Sequence, residues 1–442
     1  MNDNDNTPEN PFEEIEKKLR EVFKDADMKI VCSAFPSKPE PGTGTGPEAL
    51  ETEESYQRLL ERLRQFTHKP RQIREFLDRY VIGQDEAKKT LAVAICDHYN
   101  HVRRILEHPE QDDLEYAKHN ILLLGPTGVG KTYLVRRAAK MIGVPFVKAD
   151  ATKFSETGYV GYDAEDIVRD LVRLCDNDAD IAQFGIVYID EVDKIASKLS
   201  GGQKDVSGRG VQVNLLKLME DTEVKLVGQT DMVGQMQMMQ QIEAGKNPKR
   251  TVRTRHMLFI VSGAFDKLPE IIKRRLGGRL IGFRREEGGG KDEPASYLKL
   301  VETADLVQFG FEPEFAARLP VRVALDLLTV ENLAAILRAE DNLLEQYVRD
   351  FAGYGIELSF TDDAVREVAE RAVAEKTGAR GLMTILERTL REFKFELPSS
   401  AVRKLVVTRE IIRDPAAALA TLLAAPLKKS RRCHPPIKAV QG

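Results

Sequence analysis

The sequence predicts an α/β fold, in which a large domain with a parallel sheet and flanking helices is followed by a smaller, mainly helical domain. Three short runs, at 121–124, 186–189 and 258–261, are apolar without alternation. This pattern is typical of parallel strands that are buried on both faces. Segments with helical spacing lie between the runs, and strands that alternate with helices favour a parallel sheet. Nearer the C-terminus, residues 329–350 and 362–396 have the spacing of amphipathic helices.

Length and charge narrow the classes of function. A chain of 442 residues is expected to hold two or three domains. Its 66 basic and 70 acidic residues leave a net charge of −4. Proteins that coat nucleic acid or bind membranes through a polybasic surface need excess positive charge, so we expect no nucleic-acid partner and no membrane partner. The longest apolar stretch, 416–427, is too short to span a bilayer and is expected to be a packing helix.

The cysteines and the first residues indicate a cytoplasmic protein. Cys32, Cys96, Cys175 and Cys433 are scattered without a C-x-x-C pair, so neither a disulfide framework nor a four-cysteine zinc site is expected. Residues 1–10 are polar and acidic, and they lack the order of charged and apolar segments found in a signal peptide.

Composition divides the chain into four parts. Residues 1–54 hold 14 acidic and 6 basic side chains, and proline and glycine concentrate at 36–46, as in a flexible linker. The helical pattern at 12–31 is either a small interaction element or a loosely ordered leader. The expected parts are an acidic N-terminal helix and linker (1–66), a large domain (67–321), a small domain (322–427) and a basic tail (428–442).

The strongest local signal is a glycine-rich loop between a predicted strand and a predicted helix. It matches G-x-x-x-x-G-K-[ST], and its residues are Gly125, Pro126, Thr127, Gly128, Val129, Gly130, Lys131 and Thr132. In such a loop, backbone N–H groups surround the phosphates of a nucleotide, and the helix N-terminus adds positive partial charge. Lys131 would reach the β- and γ-phosphates, and the Thr132 hydroxyl would ligate Mg²⁺.

A second predicted strand ends on two carboxylates. The run 186–189 continues into Asp190 and Glu191, at the edge where open α/β sheets bind ligands. Asp190 would hold Mg²⁺ through water, and Glu191 would orient and deprotonate the attacking water. The pair is a weak signal alone, but it completes a nucleotide-hydrolysing site when it follows the glycine-rich loop. Composition does not select the arginines that such a site needs.

Six segments together indicate a family. They are 80–84 (YVIGQ), 125–132 (GPTGVGKT), 187–194 (VYIDEVDK), 262–265 (SGAF), 315–320 (FAARLP) and 378–380 (GAR). Over roughly residues 70–400 the chain thereby resembles the AAA+ protein-unfoldase ATPases of the ClpX/HslU group. The resemblance implies a P-loop AAA+ large domain, a smaller helical C-terminal domain, and ATP and Mg²⁺ as cofactors.

The resemblance also implies roles for residues outside the two nucleotide motifs. Val81 and Ile82 would lie beside the adenine, and Ser262 would sense the γ-phosphate. Arg318 would act in trans on the ATP of a neighbouring subunit, whereas Arg380 would touch the nucleotide from the small domain. An arginine that acts on a neighbour needs a head-to-tail interface, which closes into a ring, and in this family the ring is a homo-hexamer. Without the family, surface salt bridges would be the preferred interpretation of both arginines.

The tetrapeptide Gly158, Tyr159, Val160 and Gly161 resembles the family's pore loop, which grips polypeptide. The glycines give such a loop freedom to move. Tyr159 and Val160 offer apolar contact without demanding a sequence, which suits a motor that acts on protein substrates. A Tyr-Val pair between glycines is otherwise a common turn. Segment 198–210 falls where a second pore loop would lie.

Within the group, the ClpX branch is the more similar one. Only residues 163–185 separate the pore motif from the second carboxylate strand, so the inserted domain of HslU is not expected. Ile281, Gly282 and Phe283 stand where ClpX proteins dock a ClpP-type peptidase. An exposed Ile and Phe on a glycine-rich loop are costly unless they fill a partner's pockets, although local packing is the alternative. The zinc-binding N-terminal domain of ClpX is not expected, which makes this a divergent member.

The resemblance thus implies an ATP-dependent unfoldase that threads protein substrates through a hexameric pore as the specificity subunit of a ClpP-type protease. Three alternatives stay open at this point. They are a remodelling chaperone without a peptidase, an HslU-like partner of an HslV-type peptidase, and a nucleic-acid motor on the same ATPase core. The near-neutral charge and the glycine-flanked Tyr159 weigh against the last of these.

Overall fold

A parallel sheet forms the framework of the large domain in the computed structural model. The structure describes residues 47–112, 116–154, 163–196, 199–200, 203–204, 206–227, 236, 239, 249–278, 294–339 and 343–424. The strands in these ranges are β1 (Ile121–Leu124), β2 (Phe146–Asp150), β3 (Ile186–Asp190), β4 (Leu199–Ser200), β5 (Gln203–Lys204), β6 (Glu223–Lys225), β7 (Thr251–Arg253), β8 (Leu258–Gly263), β9 (Val321–Ala324), β10 (Glu357–Phe360) and β11 (Lys404–Val407). The main sheet has the order β2-β3-β8-β1-β9, and each adjacent pair is parallel.

Helices surround this sheet and build most of the small domain. In the large domain they are α1 (Pro47–Arg64), α2 (Pro70–Tyr80), α3 (Asp85–Glu107), α4 (Lys131–Ile142), α5 (Asp166–Arg173), α6 (Ala179–Ala182), α7 (Val206–Met219), α8 (Leu268–Gly278), α9 (Pro294–Leu298), α10 (Thr303–Phe309) and α11 (Pro313–Ala317). In the small domain they are α12 (Val330–Arg338), α13 (Leu343–Gly353), α14 (Asp362–Ala374), α15 (Ala379–Glu396), α16 (Arg409–Arg413) and α17 (Pro415–Ala424).

The three predicted strands are confirmed as β1, β3 and β8, and their burial explains why they are apolar throughout. Leu122 and Leu124 of β1 belong to one hydrophobic core, while Ile121 and Leu123 belong to the core on the other face. Because successive side chains of a strand point to opposite faces, a sheet that is covered on both sides leaves no position for a polar residue. Parallel pairing brings the carboxyl ends of these strands to one edge.

The small domain has a hydrophobic core of its own, to which helices α12 to α16 contribute buried residues such as Leu333, Phe351 and Phe393. Both predicted helical regions are helical, and each is divided into two helices, the second at Gly378, where φ is +59°. Strands β10 and β11 form a small parallel sheet that the sequence did not reveal. Residues 418, 419 and 422 of α17 pack against this core. In the described part of the chain, no helix is long and apolar enough to cross a membrane.

Residues on either side of the expected large domain, 67–321, pair or pack with it. Strand β9 adds residues 321–324 to the main sheet, beyond the expected end at 321. Leu59, Leu63 and Phe66 are buried in the core beneath α2 and α3, before the expected start at 67. The acidic composition around them hid this narrow apolar stripe. The predicted helix at 12–31, the linker at 36–46, the last residues of the expected small domain and the tail lie outside the described residues.

Lys118, just before β1, places a half-buried ammonium group at the edge of the large domain. Its Nζ donates to the carbonyl oxygens of Glu220 (3.1 Å) and Thr254 (2.8 Å), and it lies 4.7 Å from the centroid of the Phe259 ring. Burial lowers the pKa of Lys118 to about 7, although the Asp221 carboxylate favours the charged form. Between about pH 7 and the usual lysine pKa of about 10.4, the unfolded chain therefore binds a proton that the folded chain does not.

We predict that the folded state gains stability from Lys118 as pH rises through this window, by up to about 1.4 kcal/mol per pH unit. The thermal unfolding midpoint of the wild type should therefore rise relative to that of Lys118→Met between pH 7 and pH 10. Lys89→Met, at an exposed lysine, is the control and should follow the wild type. Parallel midpoint curves for Lys118→Met and the wild type would show that the ammonium is not buried as described.

Candidate nucleotide site

The glycine-rich loop leads from β1 into α4, and its backbone requires glycine at two positions. Gly128 and Gly130 have φ angles of +83° and +96°, in the left-handed region that L-residues rarely adopt. At Gly128 space is limiting as well, because a Cβ there would lie 2.5 Å from the carbonyl oxygen of Thr377. The loop therefore turns tightly, with the N-terminus of α4 behind it.

The small domain contacts this loop directly. The N–H of Ala379 donates to the carbonyl oxygen of Gly128 at 2.9 Å, and a Cβ on Gly378 would lie 2.8 Å from the same oxygen. The N-terminus of α15, which carries Arg380, is thereby held against the loop. Arg380 lines the same cavity as Lys131.

Lys131 is buried and turned towards its own loop. Its Nζ donates to the carbonyl oxygens of Gly125 (2.5 Å) and Pro126 (2.9 Å). Burial lowers the pKa of Lys131, and the Arg380 charge acts in the same direction, whereas the Asp190 carboxylate opposes it. An ammonium that is removed from water interacts strongly with anions, because few water molecules screen it.

Asp190, at the end of β3, is the centre of a polar cluster. Its Oδ1 accepts a hydrogen bond from Ser262 Oγ (2.6 Å) and its Oδ2 accepts one from Lys148 Nζ (2.9 Å). Burial opposes ionisation of Asp190, but the hydrogen bonds from Ser262 and Lys148 outweigh it, so the pKa is lowered. Tyr188 OH lies 2.7 Å from Ser262 Oγ and 3.1 Å from Thr132 Oγ1. Burial raises the pKa of Tyr188 to about 12, so its hydroxyl stays protonated.

Sequence reasoning missed Lys148. This residue lies on β2, opposite Tyr188 of β3 in the parallel register, and its Nζ is also 3.4 Å from Thr132 Oγ1. The β2 sequence mixes apolar and charged residues, so no strand was predicted there. Only the order of strands in the sheet brings this lysine to Asp190, and no local signal reveals it.

Thr132 and Asp190 fit a magnesium ion. Thr132 Oγ1 and Asp190 Oδ2 are 3.4 Å apart, and both contact the Lys148 ammonium, so they already hold a cation between them. Hydroxyl and carboxylate oxygens are ligands that Mg²⁺ prefers. The described residues contain no group of three or more His, Cys, Asp or Glu that suits a metal ion. Mg²⁺ commonly binds one or two protein oxygens and relies on phosphates and water for the rest.

Glu191 follows Asp190 with an unusual backbone. Its φ of +57° is one of six positive values among non-glycine residues in the described part of the chain. Such conformations cost about 1–3 kcal/mol and cluster at functional sites. The side chain is exposed and lines the cavity.

A cavity of about 1130 Å³ connects these groups and runs between the large and small domains. The sequence-predicted residues that line it are Val81, Ile82, Thr127, Gly128, Val129, Gly130, Lys131, Thr132, Asp190, Glu191 and Arg380. Ser262 is fully buried behind Asp190. Leu328, Ile336 and Met383 add apolar surface from the small domain. Apolar walls at one end and phosphate-binding groups at the other suit a nucleotide.

Arg318 lies away from this cavity, at the end of α11. Its Nη2 makes an exposed ion pair with Glu220 Oε1 at 2.7 Å. Both residues line a separate surface pocket of about 470 Å³ that also includes Lys118 and Asn120. The surface salt bridge that the sequence left open is thus present, and Arg318 does not reach the nucleotide cavity of its own chain.

Two predicted motifs lie outside the described residues. Gly158, Tyr159, Val160 and Gly161 fall between the short helix that ends at Lys153 and helix α5. Ile281, Gly282 and Phe283 fall between α8 and α9. Within the expected second pore segment, β4 and β5 pair as a short antiparallel hairpin before α7.

Comparison with known proteins agrees with this architecture. Residues 117–322 match the family model described as AAA domain (Cdc48 subfamily), and residues 328–401 match that of the C-terminal, D2-small domain of ClpB protein. The ATP-dependent Clp protease ATP-binding subunit ClpX of Borrelia duttonii is 40% identical over 354 residues, which cover 78% of each chain. The protein of the same name from Porphyromonas gingivalis is 40% identical over 347 residues, covering 77% of this chain and 80% of the relative. The chain belongs to the ClpX family of AAA+ ATPases.

Membership of the ClpX family confirms the predicted fold class and the predicted ATPase activity. The two family models are separated by only a few residues, at 323–327. This gap includes the last two residues of β9, so the models divide the chain close to where the sheet ends.

We predict that Glu191→Gln leaves ATP binding intact and lowers ATP turnover by at least about 10², because an amide cannot accept the proton of water. Binding of a fluorescent ATP analogue and steady-state phosphate release measure the two effects. Lys131→Ala is the matched control and should lose binding itself. Turnover preserved in Glu191→Gln would contradict the assignment of Glu191 as the base.

We also predict that Lys148→Met lowers the Mg²⁺ concentration needed for half-maximal binding of the ATP analogue. The variant removes a cation that competes for Thr132 and Asp190, and an ion pair of about 1 kcal/mol corresponds to roughly fivefold. Lys140→Met, at an exposed position of α4, should leave the Mg²⁺ titration unchanged. A higher Mg²⁺ requirement in Lys148→Met would show that Lys148 assists rather than competes.

Proposed function

We propose that this protein is an ATP-driven protein unfoldase and translocase that works as a homo-hexamer and serves a ClpP-type peptidase as its ATP-binding specificity subunit. The observation that carries the proposal is the position of Arg318. It is exposed on a surface apart from the nucleotide cavity of its own chain, so Arg318 would reach a nucleotide only in a second copy of the chain. A head-to-tail interface of this kind closes into a ring.

In the proposed reaction, the loop N–H groups and Lys131 bind the phosphates of ATP. Thr132 and Asp190 would hold Mg²⁺, which would neutralise phosphate charge when it is bound. Lys148 turns aside, which its partly exposed side chain permits. Ser262 keeps Asp190 oriented through the 2.6 Å hydrogen bond. Glu191 orients water and takes its proton.

Two arginines complete the proposed site. Arg380 approaches the nucleotide from the small domain of the same chain, and Arg318 approaches from the neighbour and stabilises charge on the γ-phosphate. An arginine supplied in this way contributes about 10³–10⁵ in rate in related nucleotide hydrolases. Because α15 contacts the loop at Gly128, a change in nucleotide moves the small domain relative to the large one.

The proposed substrate contact is the segment Gly158 to Gly161, and the proposed peptidase contact is Ile281 to Phe283. Support for the peptidase comes from the relatives, each of which is named ATP-dependent Clp protease ATP-binding subunit ClpX. Along the chain the pore motif begins eight residues after the end of β2, whose last residue, Asp150, is paired with Asp190 of β3 in the sheet.

We predict that a folded, tagged fluorescent reporter loses its fluorescence when it is mixed with ATP, this protein and the ClpP peptidase of the same host. Deleting residues 281–283 should slow degradation at least about tenfold, the loss expected for about 1.4 kcal/mol of docking energy, while ATPase activity stays intact.

Tyr159→Ala should slow both unfolding and degradation and leave nucleotide binding unchanged.

Deletion of residues 281–283 also distinguishes the subunit of a protease from a remodelling chaperone without a peptidase. Reporter unfolding that persists without the peptidase, and degradation that is unaffected by the deletion, would replace the peptidase partnership with a stand-alone remodelling activity. ATPase stimulation by single-stranded DNA, with none by unfolded protein, would overturn the proposed function.

A further inference from the structure

Helix α7 lies between two elements that serve different nucleotides in the proposed ring. On one side is the turn Val192–Ile195, which directly follows Glu191. On the other side is the short helix α11, which is followed directly by its C-terminal capping residue, Arg318. The first element belongs to the subunit's own site, whereas Arg318 belongs to the neighbour's.

A single buried amide joins these elements. Gln212 of α7 is completely buried. Its Nε2 donates to the carbonyl oxygens of Ile195 (2.9 Å) and Gly310 (3.3 Å), and its Oε1 accepts from the N–H of Glu312 (2.8 Å). The side chain therefore makes three hydrogen bonds to the main chain of two separate segments. Gln212 does not line the nucleotide cavity.

These bonds are costly to break. A buried polar group left without a partner costs about 1–3 kcal/mol, and the loss of Gln212 would leave one N–H and two carbonyl groups unmatched. Glu312 is the N-terminal capping residue of α11, a helix of only five residues, so a displacement of Glu312 displaces Arg318 with it.

Further contacts at both ends of α7 join this helix to the residues that flank α11. Arg209 Nε lies 3.2 Å from Glu312 Oε1, and Glu220, just past the helix, pairs with Arg318 itself. Asn120, before β1, donates to the carbonyl oxygens of Met219 (3.3 Å) and Arg318 (3.1 Å). Exposed ion pairs contribute only about 0–1 kcal/mol, so the buried amide of Gln212 is the stiff part of the link.

We propose that Gln212 is a positioning residue that couples the ATP site of one subunit to the arginine which that subunit presents to its neighbour. When the turn after Glu191 shifts with the nucleotide, Gln212 transmits the shift to Glu312 and changes the reach of Arg318. ATP hydrolysis in one subunit thereby sets the activity of the next. The inference rests on the proposed action of Arg318 in trans.

The test mixes two inactive subunits. Glu191→Gln subunits lack the base but present Arg318, and Arg318→Ala subunits lack the arginine but retain the base. Mixed rings should recover ATP turnover, because the first subunit completes the site of the second. Failure to recover turnover would contradict the trans action of Arg318 itself and so the proposed function.

Gln212→Met is then placed in one subunit at a time. In the Glu191→Gln subunit it should lower the recovered kcat at least about fivefold and leave the KM for ATP unchanged, because only the reach of Arg318 is disturbed. In the Arg318→Ala subunit it should change the recovered kcat by less than about twofold. Equal losses from both placements, or no loss from either, would overturn the inference.

Two further variants control for folding. Leu215→Ala removes a fully buried side chain from the same helix, and this side chain makes no hydrogen bond to either linked segment. It should therefore not reproduce the loss that depends on the subunit carrying the substitution.

Glu312→Pro removes the backbone N–H that donates to Gln212 Oε1, and the φ of −64° at this residue suits proline. It should reproduce the loss with Gln212 intact. Retained turnover with Glu312→Pro in the Glu191→Gln subunit would overturn the inference even where Gln212→Met fails to assemble.

Discussion

Burial of the main sheet on both faces is the constraint on which the nucleotide site depends. Side chains of β1, β3 and β8 contribute alternately to two hydrophobic cores, so polar groups are admitted only where a strand ends. Parallel pairing puts those ends at one edge. The glycine-rich loop, Asp190 and Ser262 are therefore neighbours although they are far apart in sequence. Their proximity is a consequence of packing.

At that edge, the polar side chains satisfy their hydrogen-bonding groups by bonding to one another. Asp190 accepts from Ser262 and Lys148, and Tyr188 lies within hydrogen-bonding distance of Ser262 and Thr132. Four strand or helix ends are tied together in this way. A change at any member alters the charge balance around Asp190, because the lowered pKa of this carboxyl depends on hydrogen bonds that offset its burial.

The parts of the fold that the sequence predicted are those with a local signature. Strands β1 and β3 are continuous apolar runs, and the glycine-rich loop has fixed spacing. These features were therefore predicted from the local sequence, without knowledge of the elements that pack against them. Lys148 was missed because strand order is a long-range property that a single run does not encode. Leu59 and Leu63 fell within the expected N-terminal helix and linker, 1–66, because acidic neighbours mask a narrow apolar stripe. Composition offered no reason to single out Arg318, which came from the family resemblance alone, and the pore and docking motifs stay predictions.

The contact between Gly128 and Gly378 has a consequence for how this protein tolerates sequence change. The two residues meet backbone to backbone, and a β-carbon on either would strike the main chain around the other. Because both also have positive φ angles, neither can acquire a side chain while the other stays in place. At the junction between the phosphate loop and the small domain, any side chain is therefore excluded, whatever its chemical type. A substitution at either Gly128 or Gly378 would break the same contact between the two domains. A change at another position would not restore this contact, because it does not remove the added β-carbon.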